Sequence, residues 1–157
     1  MPEQPNPARV VADADVLAAD VFLGGPAREA LDQVRRHSWV ELVASDELLA
    51  ETEAVVAELG DRDLAAAHRE RLEVERVRVE HPPEDHPALA SAYQGRAAHL
   101  LSFDDRLTSA KAGLTLQPRV SVSVRSPDAF ATLFDPESLY EAVEGGSYPG
   151  PDRNPRA

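Results

Sequence analysis

The chain has no cysteine, which excludes disulfides and thiolate metal sites. Any metal ion would have to be held by carboxylates, histidines or backbone oxygens. There is one lysine, Lys111, and 28 Asp and Glu residues give a formal net charge of −12. That acidic balance argues against nonspecific nucleic-acid binding, which normally needs a basic footprint. It is the balance expected in a salt-adapted organism, where screening removes most of the self-repulsion. Long apolar runs are also missing, so no membrane span is expected. The N-terminus carries proline and glutamate where a signal peptide needs basic and then apolar residues, and a cytoplasmic location is expected. No internal repeat is visible.

What is present fits one domain: 157 residues are enough to bury a sizeable core. A Pro-rich start (residues 1–8) and a Gly/Pro-rich end (145–157) read as flexible tails around a domain at 9–144. Val10, Val11 and Ala12 form a short uncharged run suited to a strand covered on both faces. Val16 to Leu23 reads as a helix, and Pro26 opens a second. Trp39 to Ala44 reads as a strand. Ser45 caps a helix running to Gly60, with Asp46 and Glu47 favourably placed in its first turn. Asp61 to Leu72 continues as helix, and Val77 to Val79 as a half-buried strand. Asp85 to Arg96 is helical, and Ala97 to Ser102 is a buried strand. Val120 to Val124 is the last strand, followed by a helix at Pro127 to Phe134 and an amphipathic turn at Glu137 to Val143. Strands alternating with helices indicate an α/β fold with a mostly parallel sheet.

Two acidic pairs stand at strand ends: Asp13 and Asp15 after the first strand, Asp104 and Asp105 after the Ala97 to Ser102 strand. In open α/β sheets ligands bind at the strands' C-terminal ends. Asp13 or Asp15 could equally serve as a helix N-cap. If the sheet is parallel, adjacent strands bring Asp13 and Asp104 within a few ångströms. Carboxylates that close resist joint ionisation unless a cation separates them. Oxygen-only ligands favour Mg2+ or Mn2+, which lower the pKa of bound water and stabilise charge on a phosphoryl oxygen. Glu51 lies on the margin of the apolar stripe Leu48, Leu49, Thr52, Val55, Val56 and Leu59, a margin that Glu47 and Glu58 share. The grouped arginines (28, 35 and 36; 69, 71, 76 and 78) read as solvated faces or ion pairs with neighbouring acids. The five histidines read as surface or packing residues, and Phe103, Tyr93 and Trp39 as core.

Four segments taken together resemble the PIN domain family of metal-dependent ribonucleases, over roughly Arg9 to Phe134. VVADADVL resembles that family's opening strand and acid. SDELLAETEAVV resembles the helix carrying its glutamate. EDHPALASAYQGRAAHLLSFDDRL resembles its Ala-rich helix and the strand ending in Ser or Thr, one residue, and Asp. SVRSPDAF resembles its last strand and closing helix. The resemblance implies a PIN-like three-layer α/β/α sandwich and a Mg2+- or Mn2+-dependent endoribonuclease, toxin-like or RNA-processing. It implies catalytic Asp13, Glu51 and Asp104, with Asp15 and Asp85 as further metal ligands. Gapless alignment puts the fourth acid at His86, so Asp85 and Asp105 both remain candidates for it. An RNA substrate, an antitoxin-like protein partner and a homodimer are implied in the same way.

Two other readings stand beside it. Asp13-Ala14-Asp15 resembles the nucleophile motif of haloacid-dehalogenase-type phosphatases, but Lys111 follows Asp104-Asp105 where those enzymes need a lysine ahead of the acidic pair. The third reading is a catalytically weak or inactive module that binds nucleic acid or protein.

Overall fold

The computed structural model describes residues 5–80, 87–104 and 122–155. Among them are five strands: β1 (Asn6–Ala12), β2 (Glu41–Ser45), β3 (Arg76–Val79), β4 (Ala97–Leu101) and β5 (Ser123–Arg125). Seven helices accompany them: α1 (Ala14–Phe22), α2 (Gly25–Arg35), α3 (Asp46–Leu59), α4 (Arg62–Glu75), α5 (Pro87–Gly95), α6 (Pro127–Leu133) and α7 (Pro136–Val143). The strands form one sheet in the order β3-β2-β1-β4-β5, and every neighbouring pair is parallel. This is the expected three-layer α/β/α sandwich.

Strand register decides which face each residue serves. Val10 stands opposite both Leu42 and His99, so these three share a face, and their chain neighbours Val11, Val43 and Leu100 share the other. On the first face Phe130 of α6 packs its ring on His99, 5.5 Å between centroids. On the second, Ser91 of α5 hydrogen-bonds the Ser45 backbone N–H, and α5 ends so close to the sheet that a Cβ at Gly95 would run into Val43 Cγ1. Covered on both sides, Val10, Val11, Val43 and Leu100 are fully buried. Burying each such side chain stabilises the fold by roughly 1.5–3 kcal/mol, which explains why the central strands read as continuous apolar runs.

The helix ends follow the sequence signals. Ser45 Oγ accepts from Leu48 N, and Asp61 Oδ1 accepts from Leu64 N. Strand boundaries moved more. β1 starts at Asn6 because its backbone N–H reaches Arg96 O and so joins the ladder beside β4. β2 starts at Glu41; Trp39 instead joins an aromatic cluster with His37, Tyr140, Phe134 and Tyr148. Of the expected last strand, residues 120 and 121 lie outside the described residues. Phe103 is 45% exposed, against the expectation of a core residue, because it follows the last paired residue of β4 and leaves the sheet edge.

The arginines largely behave as expected. Arg76 and Arg78 pair with Asp46, whose carboxyl is pushed down to about 2 by hydrogen bonds from Arg78 and Arg76. Arg28 and Arg35 pair with Asp20, Arg35 and Arg71 with Glu75, and Arg69 with Glu53.

Tyr148, Asp152 and Arg153 are tied to the residues that follow α2. His37 Nδ1 faces the carbonyl of Gln33 at 2.7 Å, so it carries the proton, and Nε2 accepts from the Tyr148 hydroxyl. The N–H groups of Asp152 and Arg153 both donate to Arg36 O, and Asp152 Oδ1 accepts from Ser38 N. Among the described residues no helix is long and apolar enough to cross a membrane.

Candidate metal centre

The sheet order places β4 beside β1 on the side opposite β2, so the direction of chain progression reverses between them. Such a switch point opens a crevice at the strands' C-terminal ends. Asp13 leaves β1 at this point, and its backbone N–H donates to Leu101 O of β4 at 2.9 Å. Its side chain both caps α1, with Oδ1 accepting from Ala14 N, and reaches across to β4, with Oδ2 accepting from Ser102 Oγ at 3.0 Å. The capping reading and the strand-edge reading of Asp13 are therefore true together. Asp13 is only 6% exposed.

Ser102 is the pivot of the arrangement. Fully buried, its hydroxyl donates to Asp13 and accepts from the Asp104 N–H at 3.0 Å. One oxygen thus fixes both strand ends. Asp15, in the first turn of α1, is tied to the same place because its Oδ2 accepts from Phe103 N at 3.1 Å. Its other oxygen, Oδ1, is buried and has no hydrogen-bond partner among the described residues. A buried carboxylate oxygen left bare is costly. Burial pushes the Asp15 carboxyl up, and the charges of Asp13 and Asp104 push it further in the same direction, against the Phe103 and Val16 N–H groups.

The structure therefore brings Asp13, Asp15 and Asp104 together. Glu51 stands on α3, which packs against α1, and takes no part in the bonds just described. It is half-buried while Glu47 and Glu58 are exposed, which separates three positions that periodicity left equivalent. Asp85, Asp105, His81, His86 and Lys111 lie outside the described residues. From sequence, Ser102 falls at the strand's end, at the Ser or Thr two residues before Asp104, and no role is read for it.

Among the described residues no three His, Asp or Glu side chains form a group able to hold a metal ion by themselves. That geometry does not suit an ion that draws all its ligands from protein. It is compatible with Mg2+, which is commonly bound through one or two carboxylates and keeps several waters. The bare Asp15 oxygen and the oxygen-only donor set fit such an ion.

The comparisons with known proteins correct one expectation. Residues 4–156 match the model of a family of unknown function, DUF7384, and not that of PIN domains. The short acidic motifs that carried the resemblance arise from common residues at strand ends, where any parallel α/β sheet collects polar groups. Neither the curated proteins nor the solved structures contain a match to the chain.

Proposed function

From the premise that the chain belongs to DUF7384, we propose that its Asp13–Asp15–Asp104 edge is a Mg2+- or Mn2+-dependent phosphodiesterase site, with RNA as substrate. The observation that carries this reading is the Oδ1 of Asp15, buried and without a hydrogen-bond partner among the described residues, beside two further carboxylates. Asp15, with Asp13 or Asp104 as a second carboxylate, would hold the ion, and waters would complete its shell. When bound, it supplies an acidified water and neutralises charge on phosphoryl oxygens.

The chain's own residues set up the rest. Ser102 holds the Asp13 carboxylate and the backbone of Asp104 in place, so the Asp13 carboxylate needs little reorganisation on binding. The Asp13 cap on α1 fixes the carboxylate at a helix N-terminus, where the helix dipole favours negative charge. Phe103, anchored through its N–H to Asp15, leaves an exposed ring on which a base of single-stranded RNA can stack. Glu51 remains the candidate for a further carboxylate acting from α3. A cytoplasmic setting belongs to the same proposal. The antitoxin-like partner and the homodimer came from the resemblance alone and have no independent support.

The test is cleavage of an end-labelled single-stranded oligoribonucleotide with Mg2+ or Mn2+. Wild type should cleave internally and Asp13→Asn should not, although asparagine preserves the helix cap. Equal cleavage by both proteins would remove the assignment. A second reading, a module that binds without turnover, is favoured by the lack of a three-ligand group among the described residues. It predicts no cleavage by wild type under any of these conditions.

A further inference from the structure

At the opposite end of the sheet, where β2 begins, α2, α4 and the C-terminal segment enclose a cleft of about 500 Å³. That volume lies within the range of small-molecule sites. Its apolar wall is Leu31 and Val34 of α2 with Val40 and Leu42 of the β2 entry. Its polar lining is one-sided: Arg35, Arg71 and Arg153 face a single acid, Glu75. Glu75 is already shared, since Arg35 Nε and Arg71 Nε each bond one of its oxygens. Arg153 is exposed and makes no ion pair among the described residues. Arg35 is neutralised by Asp20, Asp32 and Glu75, so the cationic groups that the cleft itself offers are Arg71, which shares Glu75, and Arg153, which adjoins Asp152.

The wall that Arg153 belongs to is held in place. Tyr148, Asp152 and Arg153 are bonded to His37, Ser38 and Arg36 respectively, and Arg71 donates to Pro155 O at 3.0 Å. Arg153 is therefore held at the lining of the cleft by a tethered backbone, and the family match extends through this segment.

We propose that this cleft binds an amphiphilic organic anion, its carboxylate or phosphate head at Arg153 and Arg71 and its apolar body on Leu31, Val34, Val40 and Leu42. Guanidinium groups pair with both head groups through parallel N–H donors. The apolar wall selects against small inorganic anions. Arg35 is committed to Asp20 and Glu75 and shapes the floor.

The experiment is calorimetric titration of the full chain, below micelle-forming concentrations, with decanoate, decyl phosphate, decanol and acetate. One or both long-chain anions should bind at a single site, and whichever binds more tightly identifies the head group. Decanol and acetate should each bind at least about tenfold more weakly, the loss expected for a charge-assisted hydrogen bond or for the apolar body. Arg153→Ala should weaken binding about tenfold. Val74→Trp, a change at an 86% exposed position on the cleft, should also weaken it. The Asp13→Asn variant should bind as wild type does, which separates this cleft from the acidic edge. Decanol binding as tightly as the anions, unchanged affinity in Arg153→Ala, or no binding of either anion would overturn the proposal.

Discussion

Asp20 and Asp15 sit five residues apart on the same helix, and the protein treats them in opposite ways. Asp20 is 6% exposed and meets Arg35 at 2.7 Å and Arg28 at 3.4 Å. Burial pushes its carboxyl up, but the bonds and charges of Arg35 and Arg28 outweigh burial and hold it below the ordinary range. Asp15 meets Asp13 and Asp104 instead, keeps one oxygen without a partner among the described residues, and is pushed up. The first arrangement is complete within the chain. The second calls for a positive charge that the described residues do not supply. A carboxylate cluster built for packing would look like the surroundings of Asp20.

The largest effect that could break this comparison lies on the paired side. Arg35→Met leaves Asp20, Asp32 and Glu75 without a shared partner in a region where the Arg35 side chain is 10% exposed. Removing one partner from such a buried network costs about 3–5 kcal/mol, to be read from urea unfolding. Asp20→Asn should cost about 2 kcal/mol, the scale of a hydrogen bond to a charged group. A loss near zero for either would mean that the network is ornamental.

Ser102→Ala should cost about 1–2 kcal/mol, because it strips Asp13 Oδ2 and the Asp104 N–H of their common partner. Asp15→Asn should move stability the other way in the absence of divalent cations, with a gain of at most about 1 kcal/mol given the partial exposure of the group. Its asparagine still accepts from Phe103 N, so a clear loss would show that Asp15 is a structural residue.

The smallest effect is the pH dependence, and its sign differs between the two groups. Asp20 is lowered below 3.8, so its contribution is present above that value and fades as pH falls through its lowered one. Asp15 is raised above 3.8, so the folded state holds its proton longer, and stability is lost as pH rises from 3.8 through the raised value. Comparing unfolding of wild type with each Asn variant from acid to neutral pH should give difference curves of opposite slope. Curves of the same slope would erase the distinction between the sites.

How far the sequence revealed this depends on the range of the physics involved. Parallel α/β order was legible because apolar runs such as Val10 to Ala12, and caps such as Ser45 and Asp61, are local signals. The meeting of Asp13 with Asp104 was legible once the strands were assumed adjacent, since strand ends in a parallel sheet share an edge. The role of Ser102 was not, because a hydroxyl that bridges two strand ends is defined by register across 89 positions. Nor was the arginine-rimmed cleft, whose walls come from α2, β2, α4 and the C-terminal segment. The family assignment failed for a related reason: motifs of one or two acids after an aliphatic run record where polar residues sit in this architecture more than descent.

The central claim is that the Asp13–Asp15–Asp104 edge takes up a divalent cation, and thermal unfolding with and without MgCl2 or MnCl2 tests it most directly. An ion that binds only the folded state adds about 2.7 kcal/mol at a hundredfold excess over its dissociation constant. Wild type should show a rise in unfolding midpoint that saturates with cation, and Asp13→Asn should show none. A wild-type midpoint that stays the same in both salts and in EDTA would contradict the account.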